Sequence, residues 1–139
     1  MIEEAKRAGR SKAVWTLPAL GIVGAVVYLA TRGSPYLAEV PWLPDWLGAW
    51  ADRHGNLRNL PAFFALGVVL VGLCGRRRAM GLGCGLGIGL ELAQLFIAGR
   101  QFSWADIFWS CTGVFLAAAL AGASAWLVRR RKKSAVGAG

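Results

Sequence analysis

Charged residues are scarce in this sequence, and acidic residues are scarcer still. Only 17% of the 139 residues are charged, against about a quarter in soluble domains. Asp and Glu together number seven, against 16 Lys and Arg, so the net charge is +9. The hydrophobic content of 56% excludes an intrinsically disordered chain. The basic clusters border apolar segments, which is typical of topology anchors, so we expect no nucleic-acid partner.

Metal-ligating residues are also few. The three cysteines, Cys74, Cys84 and Cys111, show no CxxC spacing, and His54 is the only histidine. We therefore expect no zinc or iron–sulfur site and no cofactor. The cysteines are interpreted as small buried apolar side chains.

What the chain has instead is four apolar blocks, at about residues 13–30, 59–75, 79–98 and 104–128. Each block of roughly 17 to 25 residues could cross about 30 Å of hydrocarbon as a helix. In lipid the backbone must satisfy its own hydrogen bonds, and no alternating strands typical of a barrel occur. The sequence predicts one all-α transmembrane domain over residues 1–139, with four crossings and a basic tail at 129–139.

The basic residues predict an orientation for the bundle. Twelve of the 16 precede the first block, separate the second from the third, or follow the fourth. The four on the opposite side are Arg32, Arg53, Arg58 and Arg100. The positive-inside rule therefore predicts that both termini are cytoplasmic. The first block is long for a signal peptide and no clear cleavage motif follows it, so we expect it to be retained.

The first outer loop, at about residues 31–58, contains a pattern typical of a short amphipathic helix. Asp45 could cap this helix, and four apolar side chains share one face, namely Leu43, Trp46, Leu47 and Trp50. We interpret it as a helix on the outer membrane surface. A hydrophobic plug over the bundle is the alternative.

The third block is rich in glycine. Five glycines alternate along it, at Gly81, Gly83, Gly85, Gly87 and Gly89. Small residues at a spacing of four let helices approach closely in lipid. We therefore expect the third helix to be the central one, and homo-oligomerisation through the same glycine face is an open alternative.

Polar side chains gather near the outer ends of the third and fourth helices. Glu91 lies within the third helix with Gln94 on the same face, and Arg100 follows in a short turn. Asp106 opens the fourth helix, where Ser103 could cap the backbone, and Ser110 continues its face inward. Because the turn is short, we expect these side chains to converge on one pocket that opens outward.

This cluster has two interpretations. In one, it is a polar clasp in which Arg100 pairs with Glu91 or Asp106. In the other, it is a site where a buried carboxyl group moves a proton and an arginine binds phosphate or carboxylate. Intramembrane acids usually face a protein interior or a wet cavity, so Glu91 and Asp106 are the candidate catalytic residues.

The outer end of the second helix adds further candidates for ligand binding. They are Asp52, His54 and Asn59, just before Pro61, which is tolerated in the first turn of a helix. His54 could carry a proton or contact lipid headgroups.

At this point the sequence resembles the VanZ-like family of small bacterial membrane proteins. The resemblance is carried by E-L-A-Q (91–94), G-R-Q-F-S-W-A-D-I (99–107) and Gly113, and upstream by Asp52 and N-L-P-A-F-F-A-L-G (59–67). Two positions depart from the family pattern: Ala65 replaces a proline, and Ser110 replaces an asparagine.

The resemblance implies a protein of the bacterial cell membrane that acts at the envelope. The family's namesake is associated with low-level resistance to teicoplanin. We therefore expect binding of an anionic envelope lipid, such as a polyprenyl-phosphate-linked cell-wall intermediate. A membrane-embedded phosphohydrolase or transferase is one alternative, and an accessory structural membrane protein is another.

Overall fold

All the regular secondary structure in the described part of the chain is helical. This computed structural model describes residues 2–34 and 36–136, with side chains described at 14–34 and 36–130. The α-helices in those ranges are α1 (Ile2–Thr31), α2 (Asp45–Arg53), α3 (Asn59–Cys74), α4 (Arg76–Gln94) and α5 (Trp104–Val136). Two 3₁₀ turns, Leu37–Glu39 and Gly55–Arg58, flank α2. The all-α prediction is confirmed.

The predicted helix limits are close for α3 and less so elsewhere. Helix α1 extends through the basic segment before residue 13, and α5 continues into the predicted tail. Helix α4 ends at Gln94, and turns lead from there to Arg100. The basic side chains before residue 14 and after residue 130, which contribute to the predicted orientation, lie outside the described side chains.

Within the described residues, three segments are long and apolar enough to cross a membrane. They are Val14–Thr31, Gly55–Cys74 and Trp104–Arg130. Helix α4 is not among them, because its arginines, glycines and two polar residues lower its mean hydropathy. A membrane protein is therefore supported, whereas a fourth crossing remains a prediction.

Helix α3, rather than α4, is the central helix. It packs most extensively against α5 and also contacts α1 and α4. Phe63 and Leu66 of α3 form the core with Val114 of α5 and Val26 of α1. The expectation that α4 would be central is wrong, since large apolar side chains on α3 pack against the other helices.

Only some of the α4 glycines permit close approach of helices. A Cβ atom on Gly83 would lie 2.6 Å from Cγ2 of Val114, and one on Gly87 would lie 3.0 Å from Cβ of Ser110. By contrast, a Cβ atom on Gly81, Gly85 or Gly89 would meet open space. The α4–α5 contact therefore depends on the two glycines that face α5.

Helix α2 forms where the sequence predicts it, but its cap differs. Pro44 is the N-cap, and no side-chain hydrogen bond caps the helix. Helix α2 packs mainly against the two 3₁₀ turns, with Gly48 against Ala38. Trp46 is 72% exposed, so α2 does not plug the bundle. Its position on a membrane surface remains a prediction.

Candidate functional site

A cavity of about 90 Å³ lies where the C-terminal ends of α1 and α4 meet the N-terminal ends of α3 and α5. Its volume is several times the 10–15 Å³ or so that one water molecule needs. Seven polar residues are among those that line it, namely Arg58, Asn59, Glu91, Gln94, Arg100, Asp106 and Ser110. The structure thus brings together six of the eight residues singled out from the sequence, and adds Arg58.

Glu91 joins α4 to the start of α5. Its side chain is only 4% exposed, and its Oε2 accepts a hydrogen bond of 2.9 Å from the backbone N–H of Ser103. The Oγ of Ser103 accepts a 3.3 Å hydrogen bond from the N–H of Asp106, which caps α5. A buried carboxylate is costly unless it has a partner. Here the backbone N–H of Ser103, directly before α5, is that partner for Glu91.

Gln94 and Arg100 hold the end of α1. Gln94 Nε2 donates to the carbonyl oxygen of Ala30 at 3.1 Å. Arg100 Nη2 donates to that of Leu29 at 2.9 Å, and its Nε donates to that of Arg32 at 3.1 Å. The last carbonyl groups of a helix lack intrahelical partners and attract cations. These bonds therefore fix the C-terminal end of α1 over the cavity.

The predicted clasp has a different form from the one expected. Among the described residues, Arg100 forms no ion pair with Glu91 or Asp106, because its guanidinium group reaches the α1 carbonyls instead. Burial, and next the nearby charge of Arg58, lowers the pKa of Arg100, whereas Asp106 and Glu91 oppose this effect. Two cations that share a buried space would be stabilised by an anion.

Asp106 is the unusual member of the set. Its carboxyl group lies beside the side chains of Glu91 and Asn59. Its Oδ1 is buried, yet it has no hydrogen-bond partner in the described part of the chain. Most buried polar atoms are paired, so an unpaired acceptor in a cavity wall indicates a position where a donor would bind.

Asp52 lies behind the cavity wall rather than in it. Its Oδ1 and Oδ2 accept hydrogen bonds from the N–H groups of Leu37 (2.6 Å) and Ala38 (3.0 Å). Its Oδ1 also lies 3.8 Å from Nη1 of Arg58. Leu37 and Arg58 both line the cavity, so Asp52 supports two of its walls. The sequence placed Arg58 at the outer end of the second helix, directly before the candidate Asn59, but it was not among the predicted ligand-binding residues.

His54 is not brought to the cavity. It is exposed, its Nδ1 lies 2.8 Å from the carbonyl oxygen of Trp50, and the two rings stack with centroids 5.1 Å apart. Over residues 14–34 and 36–130, no three His, Cys, Asp or Glu side chains gather where they could hold a metal ion.

A second, more open cavity of about 420 Å³ adjoins the first. Gln94, Arg100 and Asp106 line both cavities. The other lining residues of the second come from the 3₁₀ turn before α3 and the turn between α4 and α5, among them Asn56, Gln101 and Phe102. Gln94, Arg100 and Asp106 therefore lie between a cavity among the helices and a cavity among the loops.

The apolar helices of the described residues are those of a small helical membrane protein. Residues 24–125 match the VanZ/LLP1 family, and the chain belongs to this family. The matched segment contains every residue that lines the two cavities. No curated protein and no solved structure matches the chain.

Proposed function

We propose that the protein binds the phosphate group of an envelope lipid in the cavity between α1, α3, α4 and α5. The observation that carries this proposal is the mixed lining of the cavity. Apolar side chains such as Val26, Leu29 and Leu90 line it together with two arginines and with amide and carboxyl groups. The junction between the headgroup and the chains of a lipid combines the same apolar and charged chemistry.

The two arginines would supply the positive charge for the phosphate. Arginine suits this role because its planar guanidinium group can bind phosphate oxygens in pairs. Arg100 holds the end of α1 through Nε and Nη2, so the test changes Arg58. The folding of that variant is checked first, because Nη1 of Arg58 also lies 3.8 Å from Oδ1 of Asp52. Gln94 and Asn59 would orient the headgroup, and an anionic phospholipid or a polyprenyl phosphate would both fit this chemistry.

Native mass spectrometry of the purified protein with an anionic phospholipid tests this function. Arg58→Gln should lower lipid occupancy by about tenfold or more, as expected for a lost hydrogen bond to a charged group. Arg53→Gln is the matched control, because Arg53 is exposed on α2 and lines neither cavity. Equal occupancy in the two variants would contradict lipid binding at this cavity.

A membrane-embedded phosphohydrolase or transferase is the second candidate. It is favoured by the neighbouring carboxyl groups of Glu91 and Asp106, which could take a proton from a reacting hydroxyl group. Release of phosphate from a short-chain polyprenyl phosphate by the wild type, and its loss in Glu91→Gln, would support this reaction. If neither protein turns the substrate over, the enzymatic function is rejected.

An accessory structural role is favoured by a different observation. Glu91, Gln94 and Arg100 all bind backbone groups of neighbouring segments. Expression in a teicoplanin-susceptible host, followed by measurement of susceptibility, separates the roles. If Glu91→Gln and Arg100→Lys fold normally but lose a protective effect of the wild type, the polar set does more than support the fold.

The proposed location is the bacterial inner membrane, with four crossings and both termini in the cytoplasm. The twelve basic residues on one side and four on the other favour this orientation. Alkaline phosphatase fused after Gly139 should be inactive, and a fusion within residues 41–44 should be active. Activity of the C-terminal fusion would contradict the orientation.

A further inference from the structure

The buried, unpartnered Oδ1 of Asp106 limits what the cavity can bind. Asp106 lines both cavities, and its Oδ1 is buried without a hydrogen-bond partner among the described residues. A buried acceptor without a donor is unfavourable, so a ligand that supplies a donor gains more than one that does not. A bare phosphate diester has only acceptor oxygens and cannot supply it.

No hydrogen bond of the described residues reaches Asp106 Oδ1, although the side chains of Glu91 and Asn59 lie beside its carboxyl group. Nε and Nη2 of Arg100 donate to α1 carbonyls. The neighbouring Glu91 is an acid whose Oε2 already accepts from Ser103. Ser110, in the next turn of α5, is 3% exposed and lines the same cavity without a hydrogen bond to Asp106.

The charges of the cavity also favour a ligand that carries a hydrogen-bond donor. Arg58 and Arg100 face two carboxyl groups, those of Glu91 and Asp106, so the formal charges are balanced. A site with both signs complements a headgroup that carries a phosphate together with a hydrogen-bond donor, rather than an anion alone.

We propose that the cavity selects phospholipid headgroups that carry an N–H or O–H donor next to the phosphate, and that Asp106 Oδ1 accepts this donor. The inference rests on the proposed function, because the arginines must hold the phosphate first. It adds the class of headgroup to that function. An ammonium group and a hydroxyl group share the required chemistry, and the experiment distinguishes them.

The test is competition between phospholipids whose headgroups offer different hydrogen-bond donors beside the phosphate, read by native mass spectrometry of the 139-residue chain. Dioleoyl phosphatidylethanolamine, its N,N-dimethyl derivative and phosphatidylcholine have three, one and no N–H groups. Phosphatidylglycerol provides hydroxyl donors instead. Occupancy should fall along the methylation series, with a difference between its ends of about tenfold or more. This series uses the wild-type chain, so it does not depend on the folding of any variant.

Variants then assign the preference to Asp106. Asp106→Ala removes the acceptor and should reduce the ratio of phosphatidylethanolamine to phosphatidylcholine towards one while phosphatidylcholine occupancy is maintained. Asp45→Ala, on the exposed start of α2, should leave the ratio unchanged. A preference for phosphatidylglycerol over phosphatidylcholine that is lost in Asp106→Ala would support a hydroxyl donor.

The outcomes separate the inference from the function on which it rests. Equal occupancy by all four lipids, still lowered by Arg58→Gln, would overturn the donor selectivity and leave phosphate binding intact. A methylation effect that persists in Asp106→Ala would overturn the role of Asp106. If no phospholipid remains bound to the wild type, the proposed function itself fails.

Discussion

Glycine occurs on both faces of α4, but only the glycines of one face contact another helix. On the inner face, Ala79, Gly83, Gly87, Glu91 and Gln94 form one buried stripe. On the outer face, Gly81, Gly85 and Gly89 are exposed and have open space beside them. A row of alternating glycines therefore does not indicate which of its members contact another helix.

The inner face also shows how an apolar bundle can hold polar side chains. Its glycines bring α5 close, and its last turn then carries Glu91 and Gln94 into the cavity wall. Both side chains bind backbone groups, at Ser103 and Ala30. Along the inner face of α4, the closely packed glycines come first and the hydrogen-bonded side chains follow. Substitutions can therefore measure separately what each group contributes to stability.

The largest difference between the faces should appear in a pair of glycine substitutions. Gly83→Ala places a Cβ atom against Val114, and overpacking of this kind costs about 1–3 kcal/mol of unfolding free energy. Gly85→Ala meets no neighbour and should cost nothing, or gain up to about 1 kcal/mol from helix propensity. Reversible unfolding in mixed micelles measures both. Equal losses would show that the outer face is packed as well.

A change at Glu91 should have a comparable or slightly smaller effect. Glu91→Ala leaves the N–H of Ser103 without its acceptor, which costs about 1–3 kcal/mol for a buried group. Glu91→Gln keeps an acceptor oxygen and should retain most of the stability. The midpoint of thermal unfolding in detergent distinguishes the two, and identical midpoints would mean that the bond contributes little.

Gln94 should contribute less than Glu91. Gln94→Ala removes one neutral hydrogen bond to Ala30, with an expected loss of about 0.5–1.5 kcal/mol. Because this bond joins α4 to α1, the loss should not add to that of Arg100→Gln, which acts on the same helix end. Strictly additive losses in the double variant would indicate that the two side chains act independently.

The outer face should show the smallest effect on folding. If its open glycines mediate homo-oligomerisation, Gly85→Leu should lower the dimer fraction without a loss of unfolding free energy. Native mass spectrometry and unfolding in the same detergent give both values. A monomeric wild type, or an unchanged dimer fraction, would exclude this face as the interface.

Much of the helix pattern could be predicted because it depends on local properties. The limits of α3 and the start of α5 follow from apolar length, Pro61 and the Ser103 cap. The positions of α1 and α4 relative to α3 could not be predicted in this way. The helix positions depend on which large side chains pack against each other, such as Phe63 and Val114. The periodic spacing of apolar residues along one helix does not identify the residues of another helix that they contact.

The candidate site likewise has a part that could be predicted from the sequence and a part that could not. Short separations in the chain bring Glu91, Gln94, Arg100 and Asp106 together, because α4 and α5 are joined by a brief turn. The carbonyls of α1 come from a helix distant in the chain, so nothing in the spacing indicated them, whereas Arg58 directly precedes the candidate Asn59 and could have been included. The partners of Arg100 could not be predicted for the same reason. Its guanidinium group donates to the carbonyl oxygens of Leu29 and Arg32, which are distant in the chain, and not to the expected acidic side chains.

The sequence by itself determined that this chain is helical, suited to a membrane and polar at one end of two neighbouring helices, since length, hydropathy and local spacing are sufficient for these properties. Only the tertiary structure decided which partner each polar group has. Hydrogen bonds require a direction and about 3 Å of separation, and these arise when segments distant in the chain meet.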